Sequence, residues 1–526
     1  MKKLMVKGYE LLVKCRLMKH KPHRMQKLDD SMELYCETAD FLKNHIRVMV
    51  FVFLLTLVQR MALFMVTYFV LSIQVMDNDG WFILNNGRYI LEHGIPHKNP
   101  FTWIEGLDVV LQQWAYSVFV YSIYQWIKVP GIFLFCCLLH LSCVFLFCNI
   151  AKLKQIPMKT ALVLSSVMFL LGSGFLSIRP TFITIFLLLW QVYVLELYRK
   201  DGKAWKLWQL VLISILEINI HAAIWPFHFV MLLPYLVPPI DNVFVTFKRK
   251  NYSIQPIVIS IPFMMLAGLF NPYGIEGIKY VFMSYGDELK NAGIVELAAP
   301  SFDDSGFLFV IILGILLCWF SLHRNRRIDA PFFYILCGTL LMGTMHLRNL
   351  IYAYFGILLF SCELTKSFYH EIKNMIYGVV VFSIFAGSIA FSWIGISEKV
   401  LDYKQEDNLY SPVKAIAYLE KHEDKDVKVF TEFNNGAYFE WSGYRCFVDP
   451  RPELYFKKLN HKEDVFKEYQ KLMKASDSKT IDAFFNKYQC EYACVTKGTS
   501  LNLYLSLQED WEPVVNSKEY VLYQKK

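Results

Sequence analysis

The sequence predicts a polytopic α-helical membrane protein that carries a soluble α/β domain at its C-terminal end, and three observations lead there. Of 526 residues, 55% are hydrophobic and only 19% charged, with a mean hydropathy of +0.32, which is too apolar for a water-soluble chain of this size. Apolar runs of roughly 17–25 residues, the length that crosses a bilayer, recur along the chain. From about residue 398 onward the composition becomes that of a soluble domain. The net charge of +8 does not indicate nucleic acid, because Lys and Arg gather in the first 30 residues and in short loops between apolar runs. That distribution orients a membrane protein, so the expected partner is the lipid bilayer.

Residues 1–46 form a basic segment without the roughly 7–15-residue apolar stretch of a secretory signal, which predicts a retained cytoplasmic N-terminus. Residues 47–397 hold about eleven predicted spans: 50–75, 131–150, 160–177, 181–198, 207–221, 224–240, 254–271, 306–322, 331–346, 350–368 and 375–396. Counting 113–127 as a further span would break the alternation of loop charge, so it reads as an interfacial amphipathic helix within an outer loop, 77–127. Lys152, Arg199, Lys248, Arg324 and Lys366 then share the side of the basic N-terminus. The opposite side receives 77–127, Arg179-Pro180, the acidic segment 272–305, 346–349 and the tail, which makes the C-terminal domain extracytoplasmic. Trp81, Phe82, Trp103 and Trp114 are expected at headgroup level, where aromatic rings anchor.

In the tail, 398–526, Ser411 and Pro412 read as an N-cap and first helical position opening a helix to about residue 421. Strands are predicted at 427–430, 446–448, 492–495 and 520–523, with helices at 464–475 and 480–488. Strands alternating with helices predict a small α/β domain.

The chemistry-bearing residues gather at predicted outer span ends. Asp77 and Asp79 sit two apart in Met76-Asp77-Asn78-Asp79-Gly80-Trp81-Phe82, directly after the first apolar run. Paired carboxylates there suit a divalent cation or a general base, whereas Asp-Asn-Asp-Gly is also an ordinary turn sequence. Arg179 and Arg348 head spans and present the fork that grips phosphate oxygens, or else they snorkel. His221 ends a span with Asn219 beside it, and Glu217 four residues earlier shares its helical face. Glu276 and Glu296, in the acidic outer segment, either complete a metal site with Asp79 or form a solvated face. Asp449 and Arg451 flank Pro450 after a strand, which reads as a buried ion pair. No phosphate-binding glycine loop, dinucleotide fingerprint or zinc spacing is present, so an ATP-driven pump or a zinc enzyme is not expected.

The phrase Asp77-x-Asp79-x-Trp81-Phe82, continuing through Gly87-Arg88-Tyr89-Ile90 and Glu92-His93-Gly94-Ile95-Pro96 to Asn99-Pro100-Phe101, resembles the first outer loop of GT-C fold membrane glycosyltransferases. The oligosaccharyltransferase catalytic subunit is a more distant likeness. Arg179-Pro180, Asn219-x-His221, Asn271-Pro272-Tyr273-Gly274 and Asn434-Asn435-Gly436-Ala437-Tyr438 extend it over roughly residues 50–526. The resemblance implies transfer of a sugar from a polyprenyl-phosphate-linked donor to an extracytoplasmic glycan, lipid or protein acceptor. Asp77 and Asp79 would be the catalytic carboxylates, and Arg88, Arg179, Asn219, His221 and Arg348 would bind substrate. Asp79, Glu276 and Glu296 would be metal ligands, with a divalent cation, Mg2+ or Mn2+, as the only cofactor. The tail lacks a Trp-Trp-Asp signature, so glycosylation of an asparagine sequon is not implied. The rival readings are a transporter or flippase of lipid-linked or polar solutes, and an inactive scaffold of the same fold.

Overall fold

A computed structural model describes residues 78–158, 178–239, 252–284, 327–368 and 407–526, together with short pieces between them. The expected spans at 50–75 and 375–396 lie outside the described residues, as do Asp77 and Glu296.

The chain after Asp77 is not the turn-rich loop its polar residues predict: Asn78–His93 is an α-helix, α1. Asp79 falls in its first turn, where a carboxylate meets the positive end of the helix dipole, and Asn78 Oδ1 accepts the Asp79 backbone N–H at 3.0 Å. Every residue from Gly80 to Gly87 is buried, so this part of the helix is covered on more than one face. The second helix, α2, runs Trp114–Leu153 and breaks at Lys128 (φ 58°, ψ −151°), two residues before Pro130. Proline lacks the N–H that would continue the ladder. The limb before the break is thus separate from the apolar limb after it.

The apolar region continues with α3 (Thr181–Asp201), α4 (Trp208–Ile220), α5 (Gln255–Ala267), α6 (Gly274–Ser284), α7 (Ala330–Met345) and α8 (Leu350–Phe368). Among the described residues, Leu134–Leu153 and Thr181–Asp201 are long and apolar enough to cross a bilayer. The 21 residues of α3 reach about 30 Å, the thickness of a hydrocarbon core. The helices α4 and α5, at 13 residues each, reach only about 20 Å. The predicted span 224–240 is not one helix, because Pro226 and Pro234 divide it into the short pieces Trp225–Val230 and Leu233–Leu236. Apolar side chains such as Phe145, Ile259, Phe263 and Leu341 stand more than half exposed, a surface suited to lipid and not to water.

At its far end α3 joins α2 and α7 through buried charges. Lys154 Nζ meets Glu196 at 2.7 Å, and Arg199 reaches Glu196 at 2.6 Å and Asp329 at 2.8 Å. Lys154 also contacts Asp329. Arg199, one of the loop charges that set the expected orientation, is therefore partly internal, as is Lys154.

The C-terminal domain is α/β. Strands β1 (Val429–Thr431), β2 (Tyr492–Thr496), β3 (Trp511–Asn516) and β4 (Tyr520–Lys525) form one sheet in the order β1-β2-β4-β3, with only β1 and β2 parallel. Helices α9 (Val413–His422), α10 (Gly436–Trp441), α11 (Val465–Met473), α12 (Ser478–Tyr488) and α13 (Ser500–Ser506) complete it. Three details correct the sequence reading. Residues 446–448 form no strand but bridge to the outer loop through the Thr102 and Cys446 pair. Strand β3 went unpredicted, because Glu512, Pro513 and the half-buried Val514 and Val515 give no clean alternation. Ser411 does not cap α9; its Oγ accepts the indole N–H of Trp81 at 2.9 Å.

This domain and the segment 78–113 share one interior. Ile104, Leu107 and Leu111 are buried against Phe447, Phe484 and Val495, while Trp81 and Tyr116 are buried against Tyr438, Phe439 and Tyr520. The backbone of Trp103 donates to Cys446 O, and that of Cys446 donates to Phe101 O. Trp81, Phe82 and Trp103 therefore serve the protein interior and not the headgroup layer. Trp81 is 1% exposed, and Trp103 packs at a tilt on Phe447 while its indole N–H donates to Val429 O. Rings that the sequence placed at a membrane interface instead found a partner domain, with polar tips satisfied inside it.

Candidate active site

The outer end of α3 gathers the residues with chemistry. Arg179 immediately precedes Pro180, whose fixed φ suits it to start a helix. Arg179 Nε lies 2.7 Å from Asp79 Oδ2, so the first turn of α1 meets the head of α3. Tyr116, from α2, donates its hydroxyl to Ile178 O and fixes the approach. Asn78 Nδ2 reaches Asn434 Oδ1 at 3.4 Å, which places the entry to α10 beside the same turn. Gly436 starts α10 because a Cβ there would sit 1.9 Å from Val448 O.

Five residues further along, Thr184 faces the end of α4. Its hydroxyl donates to Glu217 Oε1 at 2.6 Å and lies 2.8 Å from His221 Nδ1. Glu217 Oε2 is 3.3 Å from His228 Nε2, and His228 Nδ1 meets Gln191 Oε1 at 2.5 Å. Thr184, Gln191, Glu217 and His228 are fully buried, whereas His221 keeps 19% of its side chain exposed. Glu217 and His221 share a face as their spacing predicts. Thr184, Gln191 and His228 were not foreseen, although two polar residues seven apart in an apolar helix, Thr184 and Gln191, mark a common face. Arg348 is exposed in the turn Leu347–Asn349, within electrostatic reach of His221 and Glu453, and makes no hydrogen bond or ion pair among the described residues.

Other candidates have structural duties. Arg88 Nη2 donates to Asn85 Oδ1 and to the carbonyls of Glu440 and Trp441, with its guanidinium 4.6 Å over the Trp441 ring, so it docks α1 on the C-terminal domain. Asn219 accepts the Trp114 indole N–H at 2.9 Å and donates to Ile215 O and Phe270 O, so its amide is committed to packing. Tyr273, in the Asn271-Pro272-Tyr273-Gly274 turn, donates to Pro96 O and accepts from the Leu111 N–H, pinning both ends of the outer loop.

Of the three expected metal ligands, Glu296 lies outside the described residues, and the other two are each paired with a basic side chain. Asp79 is engaged by Arg179, and Glu276 is exposed and pairs with Lys279 at 2.8 Å. Among the described residues, Glu440, Cys446 and Asp449 are close enough to share an ion. A guanidinium already lies between the carboxylates: Arg451 Nη2 is 2.6 Å from Asp449 Oδ2 and 3.2 Å from Glu440 Oε2. Arg451 Nη1 also donates to Asn86 Oδ1 at 2.8 Å, so the expected Asp449 and Arg451 pair exists and holds α1. Burial pushes the Glu440 carboxyl well above its usual range, with Asp449 adding to the shift. Burial acts to raise Asp449 as well, but Arg451 beside it brings that carboxyl below its usual range. One proton on Glu440 thus leaves a single carboxylate facing the arginine.

No protein-family model and no curated sequence matches the chain. Solved structures do match. The oligosaccharyltransferase of Archaeoglobus fulgidus in its apo form aligns with a TM-score of 0.50 at 10% identity, covering 82% of this chain and 69% of that one. The same enzyme tethered to an acceptor peptide aligns at 0.49 and 11% identity, covering 82% and 68%. The apo match carries the fold: a helical membrane domain followed by a C-terminal globular domain, a distant likeness to an oligosaccharyltransferase catalytic subunit.

Proposed function

We propose that the protein is a GT-C-like membrane glycosyltransferase that moves a sugar from a polyprenyl-phosphate-linked donor to an extracytoplasmic acceptor. The observation that carries this reading is the Asp79 and Arg179 pair, set at one end of a membrane-length helix beneath a loop that the C-terminal domain covers. An arginine fork at the edge of the bilayer suits the phosphate of a lipid-linked donor. In the proposed reaction the donor enters from the bilayer, and Arg179 and Arg348 stabilise the phosphate as charge develops on it. Asp79 orients Arg179, with Asp77 beside it in the chain. Asp79 is engaged by Arg179, Glu276 by Lys279, and Glu440 and Asp449 by Arg451. The domain scheme of 1–46, 47–397 and 398–526, the eleven spans and the extracytoplasmic tail belong to the same proposal.

The test is turnover of undecaprenyl-phosphate-linked hexoses by purified protein in nanodiscs. Asp79→Asn preserves shape, and with folding retained it is expected to reduce release of undecaprenyl phosphate by roughly 10²-fold or more. Arg179→Lys, which keeps charge but loses the fork, is expected to raise the donor KM. Full activity in both variants would remove the pair from the mechanism.

A further inference from the structure

Thr184 has one hydroxyl hydrogen and two neighbours. It donates that hydrogen to Glu217 Oε1 at 2.6 Å, so the 2.8 Å contact with His221 Nδ1 requires the imidazole to be the donor. The tautomer of His221 follows: hydrogen on Nδ1, lone pair on Nε2. His228 Nδ1 meets Gln191 Oε1, and its Nε2 lies 3.3 Å from Glu217 Oε2 without a hydrogen bond between them. His221 Nε2 has no partner among the described residues, and the residue lies where α4 ends, within electrostatic reach of Arg348.

We propose that His221, held by Glu217 through Thr184, presents Nε2 to a hydroxyl-bearing acceptor and takes its proton during sugar transfer. This inference rests on the glycosyltransferase reading and adds the acceptor class. The acceptor oxygen bonds to the anomeric carbon, the bond from that carbon to the phosphate oxygen breaks with its electron pair, and the acceptor proton moves to Nε2. The imidazolium so formed donates from Nδ1 to Thr184, whose hydroxyl points at Glu217, an arrangement in which a buried acid orients the base through one intermediate group. A neutral imidazole suits a hydroxyl better than the weakly acidic amide of an asparagine side chain. Asp79, engaged by Arg179, is left to the phosphate side of the reaction.

Two measurements test this. In protein labelled with 15N-histidine, the His221 resonances, assigned by loss in His221→Gln, are expected to show a protonated Nδ1 and a bare Nε2; a protonated Nε2 with bare Nδ1 overturns the proposal whatever the activity. In the transfer assay with an oligosaccharide acceptor, His221→Gln is expected to lower kcat by roughly 10²-fold with the donor KM nearly unchanged. Thr184→Val should lower kcat by a smaller factor, and Thr184→Ser should restore it, which a packing role for the methyl group would not produce. Sugar transfer by the unaltered protein that survives in His221→Gln overturns the base while leaving the glycosyltransferase reading intact. No transfer by the unaltered protein, with the expected tautomer present, overturns both the function and the base.

Discussion

Two arginines with similar sequence signatures do different work because of what surrounds them. Arg179 is partly exposed and pairs with Asp79, whereas Arg451 is buried among Asp449, Glu440 and Asn86. The second cluster has a pH signature. A carboxyl whose folded value is raised, such as Glu440, contributes stability that is present below its unfolded value of about 4.3 and is lost as pH rises through the folded value. Asp449, with its folded value lowered, contributes stability present above about 3.9 and lost as pH falls through the folded value. Glu440→Gln mimics the protonated acid and should flatten the loss of stability with rising pH. Asp449→Asn leaves the buried guanidinium uncompensated and should cost about 3–5 kcal/mol at neutral pH. Thermal unfolding followed from pH 5 to 9 separates the two; equal slopes in Glu440→Gln and the unaltered protein would contradict the assignment of the proton.

At the scale of elements, the site depends on how α1 is held. Gly87 lies against α2 so closely that a Cβ would fall 2.1 Å from Ser117 O, and Arg88, Asn86 and Trp81 bind the other side of the helix to the C-terminal domain. Gly87→Leu should force α1 off α2, lower stability by about 1–3 kcal/mol and displace Asp79 from Arg179. Unchanged unfolding and turnover would show that the contact is not needed. The outer span ends were legible in the sequence, since Asp79, Arg179, His221 and Glu217 announce themselves by charge in apolar surroundings. What joins them was not. The helix of α1 was hidden because Asp-Asn-Asp-Gly is equally a turn sequence, and Trp81 and Trp103 were misplaced because an amphipathic ring satisfies a membrane interface and a domain interface alike. In the tail, β2 and β4 show in their continuous apolar runs, while β3, an edge strand with half-exposed residues, does not.

At the scale of the whole molecule, α3 separates two polar clusters. The Asp79, Arg179 and His221 group sits at its head, and the Lys154, Glu196, Arg199 and Asp329 network sits about 30 Å away at its foot. Because the outer loop and the C-terminal domain share a core, they lie on one side of the membrane, which the proposed topology makes the extracytoplasmic one. Cysteines placed at Lys98 and Lys518, in a background without accessible native thiols, should both react with an impermeant reagent in intact cells; labelling of neither would invert the topology. The central claim is sugar transfer at the head of α3, and the most direct measurement is mass-spectrometric detection of product when the unaltered protein, in nanodiscs, meets undecaprenyl-phosphate-linked hexoses and an oligosaccharide acceptor. The account predicts a lengthened acceptor and an equal amount of undecaprenyl phosphate, both lost in Asp79→Asn; bound donor that is never cleaved by the folded, unaltered protein would contradict it.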